Sequence, residues 1–191
     1  MDKERVYALN STLSRRSMLV LLTLIVCACG SLTGDPGSRT PQTMLNDDTI
    51  EFEAHKKIKA ADPAFESSHI VVVSHNGVVL LAGQVETEAL KLRAADVVSS
   101  IEHVASVHNE LEISGPTALA VRSNDAWLTT KIKSKLIANS SIDADRINVT
   151  TENGVVFLMG TVPHAQAQLA VEVTQTVSGV EKIVKVFEYI D

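Results

Sequence analysis

HNGVVLLAG, residues 75–83, and ENGVVFLMG, residues 152–160, are two versions of one stretch. Each begins with an Asn-Gly pair, the preferred two-residue turn of a β-hairpin, because both central positions need positive φ. The apolar run after each turn predicts a buried strand, and the strand before it recurs as IVVVS from Ile70 and INVTT from Ile147. A pattern that returns after about 77 residues indicates that one supersecondary unit is duplicated.

A helix is predicted on either side of each hairpin. Asn46-Asp47 and Asn124-Asp125 are good N-cap pairs. Apolar residues recur every four positions after them: Ile50, Ala54 and Ile58, then Leu128, Ile132 and Leu136. Second helices are predicted over about residues 86–100 and 165–177, the latter with Leu169, Val173 and Val177 inward, before closing strands at 104–113 and 180–190. This order predicts an α+β fold of two αββαβ units, each with two helices on one face of a three-stranded sheet.

The order of elements and the Gly-Val-Val strand after each turn resemble the BON domain (bacterial OsmY and nodulation). The late Gly179-Val180 with Val184 adds to that resemblance. Gly179 has no counterpart in the first copy, where Glu102-His103 precedes Val104. Two such units behind a lipoprotein signal resemble, more narrowly, the outer-membrane lipoproteins with two BON domains. That resemblance implies enrichment at division sites and a link to outer-membrane protein assembly.

The N-terminal segment predicts a lipid anchor. Its apolar run, residues 18–26, is too short to span a bilayer as a stable helix and is typical of a signal peptide. Small residues before Cys29 resemble a lipobox, whereas Val26 is too bulky for cleavage before Cys27. The alternative is an ordinary secretory signal cut nearby. Acylation of Cys29, palmitate included, would anchor the chain stably, and Gly30 after it favours export to the outer membrane over inner-membrane retention.

These features divide the chain into five segments: a signal peptide (1–28), a lipidated flexible tether (29–45), a first BON domain (46–114), a linker (115–123) and a second BON domain (124–191). The linker is short, which predicts that the two domains pack together. Residues 47–114 hold 12 acids and 5 bases, whereas residues 124–191 hold 8 acids and 6 bases. An acidic mature chain argues against a nucleic-acid partner, although one local basic surface suffices to meet anionic lipid.

No catalytic or metal-binding constellation is predicted, and neither a cofactor nor an enzymatic function is expected. The six histidines lack metal-ligand spacing. His69 and His75 would share one side of a strand with Val71 and Val73, and ordinary exposure is expected for both histidines. After cleavage Cys29 would be the only cysteine left, which leaves no disulfide and no thiol nucleophile.

Apolar residues on the sheet faces away from the helices indicate a second covered surface. Val71 and Val73, and Val155, Phe157 and Met159, point outward if the helices cover the opposite face. Either the other unit or a partner would cover them, unless they are small edge residues exposed to solvent.

The only tryptophan lies away from the core in the first helix of the second domain. At 100° per residue, Trp127 falls about 140° from the centre of the face formed by Leu128, Ile132 and Leu136. An outward indole beside lysines is typical of a membrane interface, and the matching position of the first domain is Thr49. The predicted phospholipid-binding residues are Trp127, Thr130, Lys131, Lys133, Ser134, Lys135 and Ile137. The alternative is that Trp127 packs on the first domain or the linker.

The sequence therefore predicts a lipid-anchored protein on the periplasmic face of the outer membrane. Its second domain would bind anionic phospholipid, and the protein would support envelope integrity. One alternative is a periplasmic protein-interaction module that assists the outer-membrane protein assembly machinery, through the Trp127 helix or the apolar sheet face. Another is a chaperone-like factor of osmotic stress.

Overall fold

Two successive copies of one αββαβ unit fill residues 39–191, the part of the chain that this computed structural model describes. The first unit contains helix α1 (Pro41–Ala61), strands β1 (His69–His75) and β2 (Val78–Val85), helix α2 (Glu88–Ser99) and strand β3 (Ser106–Ile113). The second contains helix α3 (Leu119–Ala138), strands β4 (Ile147–Glu152) and β5 (Val155–Val162), helix α4 (His164–Gln175) and strand β6 (Lys182–Tyr189). The predicted α+β architecture is confirmed. The predicted signal peptide, Cys29 and the start of the tether lie outside the described residues.

Each unit has its own three-stranded sheet, in the order β1-β2-β3 or β4-β5-β6. The two hairpin strands are antiparallel, whereas the last strand runs parallel to the central one. A parallel neighbour requires a crossover connection, which α2 and α4 provide. The crossover places the second helix of each unit on the same sheet face as the first.

The helix periodicity read from the sequence gives the two cores correctly for α1 and α3. Their inward residues are all buried against alternate residues of the central strand: Ile50, Ala54 and Ile58 in the first unit, Leu128, Ile132 and Leu136 in the second. For α4 the prediction is confirmed in part, because Val177, just after the helix, is buried in the core. The buried residues of α4 itself are Ala167, Ala170 and Thr174, while Leu169 and Val173 are half-buried. Small residues on the inward face allow close approach to the sheet, which leaves the larger side chains on the flanks.

The two hairpin turns have the backbone that their Asn-Gly pairs predict. Asn76 and Gly77 have φ of 53° and 77°, and Asn153 and Gly154 have 49° and 75°. Positive φ at both central positions defines a type I′ turn. The unmatched Gly179 also has a structural equivalent, because His103 (φ 68°) takes the left-handed position that Gly179 (φ 100°) takes in the second unit.

Asp47 and Asp125 are not N-caps, contrary to the prediction. Both helices begin earlier, at Pro41 after the N-cap Thr40 and at Leu119. The Asp125 carboxylate instead accepts the turn N–H groups of Asn153 at 2.9 Å and Gly154 at 3.0 Å. Asp47 accepts those of Asn76 and Gly77 in the same way, at 2.9 and 3.0 Å. Each aspartate therefore fastens the first helix of its unit to the hairpin turn.

The earlier helix starts also change the role of two predicted connecting segments. The last residues of the predicted tether, 41–45, form the first turn of α1. Residues 119–123 of the predicted linker likewise belong to α3. Little irregular chain therefore separates β3 from α3, which restricts how far the two units can part.

The sheet faces away from the helices meet each other. One apolar cluster joins Val78, Leu80 and Ala82 of β2 with Phe157 and Met159 of β5 and Val186 of β6. Val73, Val155 and Val184 pack at its margin. Each unit thus covers apolar residues of the other, and the helices of the two units lie on the outer sides of this contact.

Candidate functional site

The outward side of α3 carries the most exposed large apolar side chains of the second unit. Because Leu128, Ile132 and Leu136 fix the helix against the sheet, Trp127 points away from the core and is 54% exposed. Ile137, near the end of the helix, is 71% exposed. Leu119, at the start of the helix, is 73% exposed, and sequence reasoning missed it because it fell in the predicted linker. We call this side of α3 the Trp127 face.

Lys131 is the predicted site residue that the structure brings to the indole. Its Nζ lies 4.4 Å from the centroid of the Trp127 ring, one helical turn away. This is cation–π distance, and such a contact contributes about 0.5–1 kcal/mol at an exposed site. The contact holds the indole against the helix surface with a positive charge beside it.

The hydroxyl groups of the Trp127 face bond to their own helix. Thr130 Oγ1 donates to the carbonyl of Ala126 at 2.9 Å, and Ser134 Oγ donates to that of Thr130 at 2.8 Å. Ser123 Oγ does the same with Leu119 at 3.0 Å. Because these donors already have partners, the face can enter a medium of low polarity without leaving a hydroxyl hydrogen unpaired.

The other two predicted lysines are placed differently from Lys131. Lys133 is exposed on the opposite flank of the helix. Lys135 turns toward α4, where its Nζ donates to Thr176 Oγ1 at 2.8 Å. Thr176 caps the C-terminal end of α4, so the ammonium lies beside the negative end of that helix dipole. Lys135 therefore has a structural contact that Lys131 and Lys133 do not share.

The first unit also exposes an aromatic side chain, which sequence reasoning missed. Phe52 lies on the outward side of α1 and is 67% exposed. Leu45 lies two turns earlier on the same side and is exposed as well. Leu45 and Phe52 are seven residues apart, a spacing that places both on one side of α1, whereas Thr49, which matches Trp127, is polar.

A second group of polar residues, most of them partly buried, lies where the two units meet. His69 Nε2 lies 3.3 Å from Glu152 Oε2 across the contact. Burial raises the pKa of Glu152, while His69 opposes that rise. Asn76 Nδ2 donates to Thr161 Oγ1 at 2.9 Å, also between units. Because these polar contacts are directional, they specify how the two units face each other more closely than the apolar cluster does.

His75 is buried, so the prediction that the histidines are exposed is wrong for it. It is 2% exposed, and neither ring nitrogen has a hydrogen-bond partner within residues 39–191. Burial lowers its pKa to about 4; Arg39 adds to the shift and Asp47 opposes it. The ring is therefore neutral at physiological pH and acts as a packing residue.

The described part of the chain contains neither a candidate metal site nor a helix that could span a membrane. Residues 39–191 contain no group of three or more His, Cys, Asp or Glu side chains that could hold a metal ion. Within the same range no helix has both the length and the apolar character needed to span a bilayer.

The chain matches a known domain family and is similar to several known proteins. The family model of the BON domain matches residues 46–115 and 124–191. The outer membrane lipoprotein DolP of Haemophilus influenzae is 38% identical over 153 residues, which cover 80% of this chain and 79% of that protein. A 21 kDa hemolysin of Actinobacillus pleuropneumoniae is 37% identical over 161 residues, or 84% and 83% of the two chains. Osmotically-inducible protein Y of Escherichia coli is 33% identical over 133 residues, 66% of each.

Proposed function

The chain belongs to the BON domain family, and from that premise we propose that it is a lipid-anchored outer-membrane protein that binds anionic phospholipid through α3. The names of its relatives indicate an envelope protein, and one of them is an outer membrane lipoprotein. The lipid contact and its role in envelope integrity, at division sites, are our proposal. The observation that carries it is the outward Trp127 with Lys131 over its ring.

The Trp127 face combines the two chemistries that a membrane interface offers. The indole presents a large apolar body to the acyl boundary and an N–H to the wet side. Lys131 lies beside the indole and Lys133 on the other flank of the helix, and each lysine near an anionic surface contributes about 1 kcal/mol. Ile137 extends the apolar contact toward the end of the helix. Lys135, which is bound to Thr176, contributes less direct contact with headgroups.

The predicted acyl anchor at Cys29 bears on what the lipid contact of α3 would do. Several acyl chains on Cys29 would already hold the protein in the outer membrane. A second, weaker contact through α3 would then orient the two units on the periplasmic face and make their binding depend on local lipid charge. Enrichment where anionic lipid accumulates, such as a division site, follows from that dependence.

Co-sedimentation with liposomes tests the proposal. The soluble chain from residue 30 onward should bind vesicles that contain phosphatidylglycerol and not zwitterionic vesicles. Trp127→Glu should nearly abolish binding, because a carboxylate replaces the group that enters the interface. Thr49→Glu is the matched control, since it adds the same charge at the equivalent position of α1. High salt should weaken what the lysines contribute by screening.

Two outcomes would contradict the proposal. If folded Trp127→Glu binds anionic vesicles as well as the parent does, the contact lies elsewhere on the molecule. If Trp127→Glu loses its circular dichroism spectrum, Trp127 is a packing residue, and its exposed position argues against that result.

A protein-interaction module is the second candidate, and Phe52 is the observation that favours it. The exposed Phe52 and Leu45 give α1 an apolar surface on the side of the molecule away from the second unit's helices. A subunit of the outer-membrane protein assembly machinery would dock there while α3 contacts lipid. Phe52→Glu should then weaken copurification of that machinery and leave liposome binding unchanged.

A further inference from the structure

Strand β6 forms a free edge of the second unit's sheet. The sheet order is β4-β5-β6, so only one side of β6 is paired, to β5. An edge strand presents unpaired N–H and C=O groups that can pair with another strand. The exposed positions of β6 include Lys182 and Lys185.

A groove runs between this edge and helix α4. It has a volume of about 300 Å³. Its apolar lining is Val171 from α4 with Val180 and Ile183 from the β6 side, all half-buried, and its polar lining is Gln175, Glu181, Lys182 and Lys185. We call the edge of β6 and this cavity the β6 groove. An edge strand beside a helix is the arrangement by which several peptide-binding domains add an extended strand, with main-chain hydrogen bonds for affinity and a pocket for specificity.

Two lysines, Lys182 and Lys185, and one acid, Glu181, line the cavity, and the carboxylate of Glu188 on β6 accepts a hydrogen bond from Thr161. The chain carries a formal net charge of -6. Lys182 and Lys185 nevertheless have no ion-pair partner anywhere in residues 39–191. Because they are three residues apart on a strand, their side chains point to opposite faces, and Ile183 shares the groove face with Lys185.

The first unit lacks this arrangement at the matching place. The registers Val78↔Ser106 and Val155↔Lys182 align β3 with β6, so that Asn109 corresponds to Lys185. Asn109 Nδ2 donates to the carbonyl of Lys91 in α2 at 2.8 Å, which ties the edge strand to its helix. The lysine pair and the unbridged groove therefore belong to the second unit.

We propose that the β6 groove binds an extended acidic peptide segment of a partner protein, which adds a fourth strand to the second unit's sheet. The segment would carry two carboxylates three residues apart, opposite Lys182 and Lys185, with an apolar side chain between them that enters the groove beside Ile183. This activity goes beyond the proposed lipid contact, because it uses a strand edge and leaves the Trp127 face free.

Nuclear magnetic resonance titration tests the inference on the soluble chain from residue 30 onward, which contains both complete units. The probe is an eight-residue peptide with Glu-Val-Val-Glu at its centre, which is symmetric and so allows either strand direction. The expected result is saturable shifts of amide signals in 182–189 and slower hydrogen exchange along that edge. A peptide with Lys-Val-Val-Lys at its centre should give neither.

Charge reversal supplies the matched variants. Lys182→Glu with Lys185→Glu should weaken binding of the acidic peptide at least tenfold. Lys57→Glu with Lys59→Glu makes the same change in net charge on α1 and should leave that binding unchanged. Both doubles alter exposed lysines, so the chemical shifts of the apolar core should stay those of the parent.

Three results would overturn the inference: no shift in residues 182–189 at millimolar acidic peptide, equal binding of the two peptides, or loss of vesicle binding without loss of peptide binding in the Lys182→Glu, Lys185→Glu chain. The last would assign the lysines to the membrane. Because Trp127→Glu leaves the β6 groove intact, it should keep full peptide affinity whether or not it loses vesicle binding, so the two proposals fail separately.

Discussion

Replacing Asp125 with alanine tests whether the helix-to-turn contact holds the second unit together. Its carboxylate is buried and accepts the N–H groups of Asn153 and Gly154 at 2.9 and 3.0 Å. Alanine leaves the buried Gly154 N–H without an acceptor, while that of Asn153 is partly exposed and can reach water.

The expected loss follows from those two donors. An orphaned buried donor costs about 1–3 kcal/mol, and a hydrogen bond to a charged group contributes about 1.5–3 kcal/mol. Allowing for water at Asn153, Asp125→Ala should lower the free energy of unfolding by about 2–4 kcal/mol. Asp125→Asn should lower the free energy of unfolding by nearly as much. Its amide oxygen can accept only one of the two turn N–H groups, and its NH₂ group would face the other donor. Such a loss is a large share of a domain's usual 5–15 kcal/mol.

Urea unfolding followed by far-ultraviolet circular dichroism measures this loss. The neighbouring Asn124→Ala is the control, because Asn124 is exposed and should change stability by less than about 0.5 kcal/mol. Hydrogen exchange at Gly154 should become faster in Asp125→Ala than in the control. If Asp125→Ala unfolds at the same urea concentration as the parent and the Asn124→Ala control, the carboxylate does not fasten the turn and the reasoning fails.

Three further predictions concern the anchor, the turn and the buried histidine. Cys29→Ser should give an unprocessed precursor or a soluble periplasmic protein; mature chain retained in the outer-membrane fraction would contradict acylation there. Gly154→Val should lower stability by about 1–3 kcal/mol in a thermal melt, because φ is 75° and a Cβ would lie 2.9 Å from Glu181 Cγ. For His75, whose folded pKa is lowered to about 4, the unfolded chain takes up its proton first, so stability should fall by about 1–3 kcal/mol as pH drops from about 6.5 to 4. His75→Leu should flatten that part of the profile, and an unchanged slope would assign it to other groups.

The fold could be read from the sequence because its determinants are local and repeated. An Asn-Gly pair specifies its turn through its own φ values, and the four-residue spacing of Ile50, Ala54 and Ile58 specifies one face of a helix. Those signals need no knowledge of distant residues. The helix periodicity of α3 likewise predicts that Trp127 lies off the core, and its exposure in the structure confirms this.

The errors came from partners that lie far away in the chain. Asp125 before an apolar run has the appearance of an N-cap, yet its acceptor atoms serve N–H groups 28 and 29 residues later. His75 is polar and ends a strand, but the second unit covers the sheet face on which it lies. Neither the distant hairpin turn nor the second unit alters the local sequence pattern. Spacing alone therefore could not distinguish an N-cap aspartate from one that binds a distant turn, or an exposed histidine from a buried one.

Comparison of the two units separates positions that serve the fold from positions that serve binding. Asp47 and Asp125 make the same turn contacts, and the fold alone explains why both are present. At exposed sites the units differ: Thr49 stands where the second unit has Trp127, and Asn109 bridges to α2 where Lys185 leaves a groove. A common framework does not require these differences, since each unit keeps its core without the other's residue. Binding by the second unit is therefore best sought where it departs from its copy, on the outward side of α3 and along the edge of β6.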